Sequence, residues 1–371
     1  MGDDFDVSEW HTIHPYFAKF SPAVPLKYIQ EYTEQGDLVL DPFSGSGTTA
    51  MICSIEGRNC IGIDANPIAA LLSRVKSSTI SDDSIEYCEK LLLRRNEVES
   101  YSPSIIPEIP NREKWFTENI LLELARIKQV IQDSPKETHD LLSLAFSRII
   151  VRCSNQHGES RYVSVAKNHY DGKAFDLFFS TLRDMVTLYR QYAKNRSNSN
   201  CKIFCEDLRE IDLSNYVESV ELAVTSPPYL NSWDYSLYHR FRYFWLDLPM
   251  KEFSNVEIGQ HLRGQRMKDG KMIEEYTTDM RKCLSNVFSV LKPGARFIIL
   301  NAPAVVKKKR IDSSQIIIDE AIKIGYELQN ISDGKMFGPH YGNRANLKKK
   351  NIEIQEEREK TEQTIILRKP F

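Results

Sequence analysis

The sequence predicts an α/β fold in which a largely parallel sheet is covered by helices and interrupted by a mainly helical insertion. Short apolar strands alternate with helical patterns up to about residue 76, and strand patterns resume at about residue 201. Between these points the patterns are mostly helical. A strand-helix-strand-helix beginning is typical of a parallel sheet with covering helices. We therefore predict a sheet domain formed by residues 1–76 and 201–371, and an insertion formed by residues 77–200.

The elements can be assigned in order along the chain. The stretch "DLVLDPF" is a strand that a proline stops, and "TTAMICSIEG" is a helix that ends at Gly57. The second strand is "NCIGIDANP" and the second helix is "IAALLSRVKS". The insertion contains two long helical patterns, "ENILLELARIKQVIQ" and "AFDLFFSTLRDMVTLYRQYAK". The later strands are "CKIFCED", "VELAVTSPPY", "ARFIILNAPA", "GYELQNIS" and "QTIILRK".

Composition indicates a soluble globular protein and excludes several other classes. The chain has 371 residues, of which 41% are hydrophobic and 27% charged, and no apolar run is long enough to span a membrane. The formal net charge of −2 means that an anionic partner must meet local basic patches. The seven cysteines form no Cys-x-x-Cys pair, which argues against a zinc site and a disulfide framework and favours the cytoplasm.

A glycine-rich turn follows the first strand, in "LVLDPFSGSGTTA". Gly45 and Gly47 would let the backbone approach a ligand closely, with the amides of the next helix facing it. Asp64 ends the second strand, where an acidic side chain can accept hydrogen bonds from ribose hydroxyls. The turn lacks the Gly-Lys-Ser/Thr of a phosphate-binding loop, so a nucleoside-like ligand is favoured. The alternative is a tight turn that needs glycine for its geometry alone.

The stretch "TSPPY", from Thr225 to Tyr229, ends a later strand. Prolines cannot donate to a sheet ladder, so the strand must stop there and expose its tip where ligands bind to a parallel sheet. The Ser226 hydroxyl and the Pro227 carbonyl could accept both hydrogens of an exocyclic amine and make its nitrogen more nucleophilic, and Tyr229 could stack on an extruded base. The alternative is a proline-stiffened loop with a buried tyrosine.

Together, "DPFSGSGTT" and "TSPPY" resemble motifs I and IV of the S-adenosylmethionine-dependent DNA amino-methyltransferases, which modify cytosine N4 or adenine N6. The resemblance covers residues 11–76 and 201–305 and implies a Rossmann-like class I methyltransferase sheet. The glycine motif often follows the catalytic motif in that family, whereas here it precedes it. This order leaves the insertion between the two motifs, where a target-recognition region would fit.

The resemblance also implies the residues of the site. The segment "HPYFAKFSPAVPLKYIQEYTEQGD" resembles the one that packs over methionine, and "CEDLRE" contains a further cofactor-contacting acid. The implied S-adenosylmethionine contacts are Asp41, Phe43, Gly45, Ser46, Gly47, Thr48, Asp64, Asp207 and Lys19. The implied catalytic residues are Ser226, Pro227, Pro228 and Tyr229, without a metal.

The expected activity is methylation of cytosine N4 in duplex DNA, with the base flipped out of the helix, in a restriction-modification system whose cognate endonuclease acts separately. Three alternatives remain open: adenine N6, an RNA amine, and an inactive methyltransferase fold that binds nucleic acid. Serine before Pro-Pro-Tyr goes mainly with cytosine N4 in the resembling family. Trp233 and Tyr235 are further candidates for the base pocket.

Basic clusters are candidates for phosphate contacts, as in "VVKKKR" (Lys307 to Arg310), "RGQRMKDGK" (Arg263 to Lys271) and "NRANLKKK" (Asn343 to Lys350). In the insertion, "SNQHGESRY" (residues 154–162) offers the base-reading side chains of Asn155, Gln156, Glu159 and Arg161. The alternative for each basic cluster is a solvated surface.

Overall fold

The computed structural model describes residues 7–17, 19–159, 161–231, 233–262, 267, 270–307, 309–335 and 361–371. It contains a seven-stranded sheet with the strand order β10-β11-β7-β6-β1-β2-β5. The strands of this sheet are β1 (Leu38–Asp41), β2 (Asn59–Ile63), β5 (Cys201–Phe204), β6 (Val220–Thr225), β7 (Leu291–Asn301), β10 (Glu327–Lys335) and β11 (Thr361–Arg368). Two hairpins lie outside it and are formed by β3 (Gln156–Gly158) with β4 (Arg161–Ser164) and by β8 (Ala304–Val306) with β9 (Lys309–Ile311).

The helices before residue 78 and after residue 200 include α1 (Val7–His11), α2 (Ala23–Tyr32), α3 (Thr48–Glu56), α4 (Pro67–Ser77), α11 (Tyr235–Tyr238), α12 (Arg240–Trp245), α13 (Met250–Val256), α14 (Lys271–Val290) and α15 (Ser313–Ile324). The helices between residues 77 and 200 are α5 (Asp82–Leu92), α6 (Arg95–Glu99), α7 (Arg112–Trp115), α8 (Glu118–Gln132), α9 (His139–Cys153) and α10 (Lys173–Asn195). Short 3-10 turns occupy Lys136–Thr138 and Ser214–Tyr216. In the part of the chain that the structure describes, no helix is long and apolar enough to cross a membrane.

The predicted α/β class is confirmed, and the sheet has the arrangement that the resemblance implied. The strands β5, β2, β1, β6 and β7 are parallel neighbours. The last strand along the chain, β11, inserts antiparallel between β7 and β10. The five predicted later strands all form. The antiparallel direction of β11 and the two small hairpins were not predicted.

The first strand shows why the sheet is covered on both faces. Val39 and Leu40 are adjacent in sequence, fully buried, and point to opposite sides of the sheet. Val39 belongs to a core shared with helices on both sides of residue 77, including Leu72 of α4 and Phe178 of α10. Leu40 belongs to a second core with Leu284 of α14. Alternating side chains of one strand therefore contribute to both cores. Burial on both faces explains why the strand is a continuous apolar run in the sequence.

The helices between residues 77 and 200 continue the first of these cores. Aromatic and aliphatic residues of α8, α9 and α10 share the core that also contains β1 and β6 residues. The buried Tyr192 of α10 hydrogen-bonds Ser54 of α3 and stacks on Trp10 of α1. The division into a sheet domain and an insertion stays a prediction, because these helices and the sheet bury the same apolar surface.

Gly47 occupies a position where packing requires glycine. Its φ is +76°, and an added Cβ would lie 2.6 Å from the Cα of Ser73 in α4. That distance is shorter than real Cβ contacts, and the obstructing atom is backbone. The close approach of the turn to α4 therefore depends on the absence of a side chain at Gly47.

We expect Gly47→Ala to lower the free energy of unfolding by roughly 2–5 kcal/mol, because left-handed strain adds to overpacking. Gly36→Ala is the matched control, since Gly36 has a φ of +87° and no atom within 4 Å of an added Cβ. It should cost only the strain, about 1–2 kcal/mol. Urea unfolding of both variants measures the difference, and equal losses would contradict the packing explanation.

Candidate active site

A cleft lies at the carboxyl ends of the parallel strands β1, β2, β5 and β6. It encloses about 1000 Å³ of space, including its open mouth. Ligands bind at this edge of open α/β sheets, because the loops that follow the strands leave a crevice there. The lining includes both stretches that the sequence singled out, since Phe43, Gly45, Ser226 and Tyr229 all face the same space.

The structure brings most of the predicted residues to this cleft. The predicted residues that line it are Lys19, Phe43, Gly45, Ser46, Thr48, Asp64, Asp207, Ser226, Pro227, Pro228 and Tyr229. Asp41 and Gly47 lie behind the lining. Gly47 contacts α4 as described above, and the Asp41 carboxyl is fully buried.

Asp64 is fixed at the floor of the cleft by two backbone amides. The Gly45 amide donates to Oδ2 of Asp64 at 2.8 Å, and the Asn66 amide donates to Oδ1 at 2.8 Å. Burial raises the pKa of Asp64 to about 6, although the two amide hydrogen bonds oppose that shift. The glycine-rich turn is thus tied directly to the acid that ends the neighbouring strand.

These residues fit S-adenosylmethionine on chemical grounds. A carboxylate offers about four lone-pair sites, and the two amides occupy only two sites of Asp64, which leaves acceptors for ribose hydroxyls. Phe43, Phe253 and Ile258 add apolar surface for an adenine ring. The acids of the lining also suit a ligand that carries a sulfonium and an ammonium cation.

Asp207 lines the cleft but is already bound to Arg209. The Arg209 amide and Nε donate to Oδ1 of Asp207 at 2.9 Å, and Nη2 donates to Oδ2 at 2.5 Å. Arg209 also pairs with Asp279 of α14 at 2.7 Å. This network fixes the loop after β5, and any cofactor contact of Asp207 must share the carboxylate with Arg209.

Asp41 joins the two motif strands from behind the cleft. The Thr225 hydroxyl of β6 donates to Oδ1 of Asp41 at 2.6 Å, and the Phe43 amide donates to the same oxygen at 3.2 Å. Burial raises the pKa of Asp41 to about 6. The residue immediately before Ser226 is therefore bonded to the residue that begins the Asp-Pro-Phe turn.

The Ser-Pro-Pro-Tyr tip is held by side-chain hydrogen bonds. The Ser226 hydroxyl donates to the Tyr229 hydroxyl at 3.1 Å, and the Tyr229 hydroxyl donates to Oε1 of Glu362 in β11 at 2.7 Å. The Tyr276 hydroxyl donates to the Pro228 carbonyl at 3.2 Å. Because the Pro228 carbonyl has a partner from α14, the tip cannot rotate freely.

An aromatic wall completes the cleft. Tyr16 stacks on Tyr235 with ring centroids 5.4 Å apart, and Phe17 stacks on Trp233 at 5.2 Å. Tyr16, Trp233 and Tyr235 line the cleft beside Tyr229. The hypothesis that Trp233 and Tyr235 lie at the pocket thus agrees with their positions, although both also pack against the segment before β1.

Lys19 lies in the lining with a lowered affinity for its proton. Its ammonium donates to the carbonyl of His14 at 3.2 Å, and burial together with Arg148 lowers the pKa of Lys19 to about 8. The fully buried Lys76 of α4 donates to the Ser46 carbonyl at 2.7 Å. Both lysines therefore support the segments that surround the glycine-rich turn.

The hairpin formed by β8 and β9 carries the described part of the first basic cluster. Lys309 and Arg310 are exposed, and the side-chain amide of Asn231 donates to the Val305 carbonyl at 2.6 Å. This bond connects the hairpin to the loop that follows Tyr229. Lys308, most of the 263–271 cluster and the whole 343–350 cluster lie outside the described residues.

The proposed base-reading stretch has partners within the protein. The side-chain Oδ1 of Asn155 is 2.8 Å from Nε2 of His169, and the side-chain amide of Gln156 donates to the Gly158 carbonyl at 2.7 Å. Glu159 pairs with the buried Arg242 at 2.7 Å. The side chain of Arg161 lies outside the described residues. The polar groups of this stretch thus hold the hairpin of β3 and β4 in place.

Comparisons with known proteins agree with this geometry. Residues 4–73 match the family model for N6/N4 DNA methylases. The type II methyltransferase M.MjaII of Methanocaldococcus jannaschii is 24% identical, over 84% of this chain and 76% of the relative. The chain is a homologue of type II DNA methyltransferases. A second such homologue, M.MvaI of Kocuria varians, is 24% identical over 66% of this chain and 59% of its own length.

Among solved structures, a TehB-like S-adenosylmethionine-dependent methyltransferase from Corynebacterium glutamicum covers 94% of this chain and 87% of its own. It is 9% identical and has a TM-score of 0.33, which is too low to support a functional argument. The homology therefore rests on the sequence relatives, and the fold rests on the strand order of this chain.

Sequence reasoning missed several acids of the site, among them Glu257 and Glu362. Glu257 lines the cleft, accepts from the Tyr235 amide at 2.6 Å, and has a pKa that burial raises to about 7. Glu362 hydrogen-bonds Tyr229, but it stands just before the strand pattern "QTIILRK" without any turn or proline that would mark it. Tyr16 belongs to the quoted segment "HPYFAKF", which could have pointed to it. No local signal in the sequence identifies either glutamate.

Proposed function

We propose that the protein is a type II, S-adenosylmethionine-dependent DNA methyltransferase that modifies the N4 amine of cytosine in duplex DNA. The observation that carries the proposal is the single cleft lined by both the glycine-rich turn and the Ser-Pro-Pro-Tyr tip. One stretch offers a nucleoside-like site and the other offers acceptors for an amine. Methyl transfer requires these two functions side by side, because the donor and acceptor must approach along one line.

In the cofactor half of the cleft, the side chains would bind and orient S-adenosylmethionine. Asp64 would accept hydrogen bonds from the ribose hydroxyls, and Phe43 would contact the adenine ring. Lys19, Ser46 and Thr48 would border the methionine part. S-adenosylmethionine supplies an electrophilic methyl group on a positively charged sulfur.

The substrate half prepares the amine. An exocyclic amine of a base is conjugated with its ring and is a weak nucleophile. The Ser226 oxygen and the Pro227 carbonyl would accept its two hydrogens, and the adjacent prolines hold that carbonyl in place. Tyr229, Trp233 and Tyr235 would pack on the flipped base, where aromatic stacking contributes about 1–3 kcal/mol per base.

DNA as the substrate is supported by the match of residues 4–73 to the DNA methylase family model and by the exposed basic hairpin. Lys309 and Arg310 lie on β9, close to the loop after Tyr229. Positive charge at the rim of such a cleft would contact phosphates and fix the register of the duplex. Since the sequence relatives are named type II methyltransferases, we place the activity in a restriction-modification system with a separate endonuclease.

We expect Asp64→Ala to weaken S-adenosylmethionine binding by about 1.5–3 kcal/mol, the range for a hydrogen bond to a charged group. Titration calorimetry measures it, and thermal unfolding checks that the variant is folded. The matched control is Asp37→Ala, which removes an acid at the amino end of β1 that bonds the Glu34 amide. Unchanged affinity in folded Asp64→Ala would exclude Asp64 from the cofactor site.

Ser226→Ala should lose most methyl transfer to DNA, by about 100-fold or more, and keep its affinity for S-adenosylmethionine. The reason is that the hydroxyl faces the base rather than the cofactor in the proposed arrangement. Rates with labelled cofactor and calorimetry on the same preparation separate the two effects. A parallel loss of cofactor binding would mean that the tip of β6 faces the cofactor instead.

Nucleoside mass spectrometry after reaction with labelled cofactor identifies the modified base, and we expect N4-methylcytosine. The basis is that Ser226 is a small neutral acceptor at a position where aspartate or asparagine accompanies adenine N6 in the resembling family. A product containing only N6-methyladenine would overturn the choice of cytosine while leaving the cofactor assignment intact. Label in RNA alone, or DNA binding without any methyl product, would overturn the proposed DNA methyltransferase activity.

A further inference from the structure

Three side chains form a continuous hydrogen-bonded chain from the catalytic tip to the last strand. The Ser226 hydroxyl donates to the Tyr229 hydroxyl at 3.1 Å, which donates to Oε1 of Glu362 at 2.7 Å. Glu362 is the second residue of β11. Because β11 runs antiparallel to β7, its amino end lies at the edge of the sheet where the parallel strands end. The strand order thus delivers a carboxylate to the cleft from behind Tyr229.

The direction of these hydrogen bonds depends on the charge of the Glu362 side chain at their end. An ionised carboxylate has only acceptors, so Tyr229 must donate to it. The oxygen of Tyr229 can then accept from Ser226, and the proton of Ser226 points away from the base. The oxygen of Ser226 is left with lone pairs to accept a hydrogen from the target amine. A neutral group at position 362 could donate to Tyr229 and remove this orientation.

This series of hydrogen bonds also connects Ser226 to the negative charge of Glu362, which a serine side chain itself lacks. Hydrogen bonds to an ionised acceptor are about twice as strong as neutral ones, and successive hydrogen bonds polarise one another. Electron density on the Ser226 oxygen therefore increases when Tyr229 bonds a carboxylate. A serine in this position becomes a stronger acceptor without placing a charge against the base.

We propose that Glu362 is a positioning residue that orients and polarises the Ser226 hydroxyl through Tyr229. The inference rests on the proposed function, since it concerns the acceptor of the amine hydrogen. It assigns a second role to Tyr229, whose ring would contact the base while its hydroxyl connects Ser226 to Glu362. Neither role requires Glu362 to touch the substrate.

A neighbouring acid provides a comparison. Asp333 of β10 accepts from the side chain of Gln363, the residue that follows Glu362, at 3.1 Å. Both acids lie in the pair of strands formed by β10 and β11. The Asp333 bond ties the two strands together and leads away from the cleft lining. Removing its charge tests the effect of a lost strand contact without the connection to Ser226.

The test combines Glu362→Gln and Tyr229→Phe, singly and together, with Asp333→Asn as control. Glutamine keeps the size of the side chain, and phenylalanine keeps the ring. Each single change should slow single-turnover methyl transfer by about 10–100-fold, the loss expected for one charge-assisted hydrogen bond. Affinities for S-adenosylmethionine and for DNA should stay within about two-fold of wild type.

The double variant should be no slower than the slower single variant, because either change interrupts the same chain. Asp333→Asn should react at the wild-type rate. A wild-type rate in Glu362→Gln, or losses that multiply in the double variant, would overturn the proposal. So would losses in Glu362→Gln that appear only as weaker cofactor or DNA binding.

Failure of the proposed function is distinguishable from failure of this inference. A wild-type protein that methylates no DNA overturns the proposed function and the polarising role together. A wild-type protein that methylates DNA, with Glu362→Gln at full rate, overturns only the inference. Urea unfolding of the wild type, the two single variants and the double variant gives an independent result. Effects of Glu362→Gln and Tyr229→Phe on the free energy of unfolding that simply add would exclude a direct bond between the two side chains.

Discussion

The arrangement of the site depends on one buried hydrogen bond, between the Thr225 hydroxyl and the Asp41 carboxylate at 2.6 Å. Its partners are 184 residues apart in the sequence and end adjacent strands of the sheet. Burying a carboxylate is costly, and the pKa of Asp41 rises to about 6 for that reason. The same carboxylate oxygen accepts from the Phe43 amide at 3.2 Å, so Asp41 also holds the turn that follows β1. In return, the hydrogen bond holds the ends of β1 and β6 together, so that both motifs begin from a fixed point.

Glycine is required at the two positions of the motif for different physical reasons. Gly47 is needed because α4 packs against it, with the Ser73 backbone in the space a side chain would fill. Gly45 has nothing closer than 3.7 Å to an added Cβ, and its amide bonds Asp64. Gly47 thus allows the turn to pack against α4. At Gly45 the φ of +47° is what favours glycine, and the amide, which most residues could supply, bonds the acid that follows β2. A motif that reads as one feature in the sequence divides into a packing contact and an element of the cleft.

Local sequence patterns predicted the strands well, because each is an apolar run bounded by glycine, proline or a polar turn. The strand β1 was predicted from "DLVLDPF" and observed at Leu38–Asp41. Likewise, "QTIILRK" predicted a strand and β11 occupies Thr361–Arg368. What the pattern could not supply was the neighbour of each strand. The position of β11 between β7 and β10 decides that Glu362 reaches Tyr229, and the relation between those strands is non-local.

The role of residues 154–162 in base reading stays a prediction, and the surroundings of these residues are also set by non-local contacts. Asn155, Gln156 and Glu159 are residue types that read bases, but in this fold they have partners that only the tertiary structure reveals. Glu159 pairs with Arg242, which also donates to the Ser147 carbonyl of α9 at 2.9 Å and to Nδ1 of His239 at 3.0 Å. Arginine can only donate, so Nδ1 of His239 accepts and the ring carries its proton on Nε2.

That network connects the helical segment to the cleft. Burial and Arg242 lower the pKa of His239 well below its usual range, so the ring stays neutral and can accept from the guanidinium. His239 in turn stacks on Tyr16, whose ring lines the cleft, with centroids 5.4 Å apart. Direct contacts therefore run from the β3–β4 hairpin through Arg242 and His239 to the aromatic wall. This path of contacts consists of one buried cation and packed neutral rings, so the position of the aromatic wall depends on how the hairpin packs.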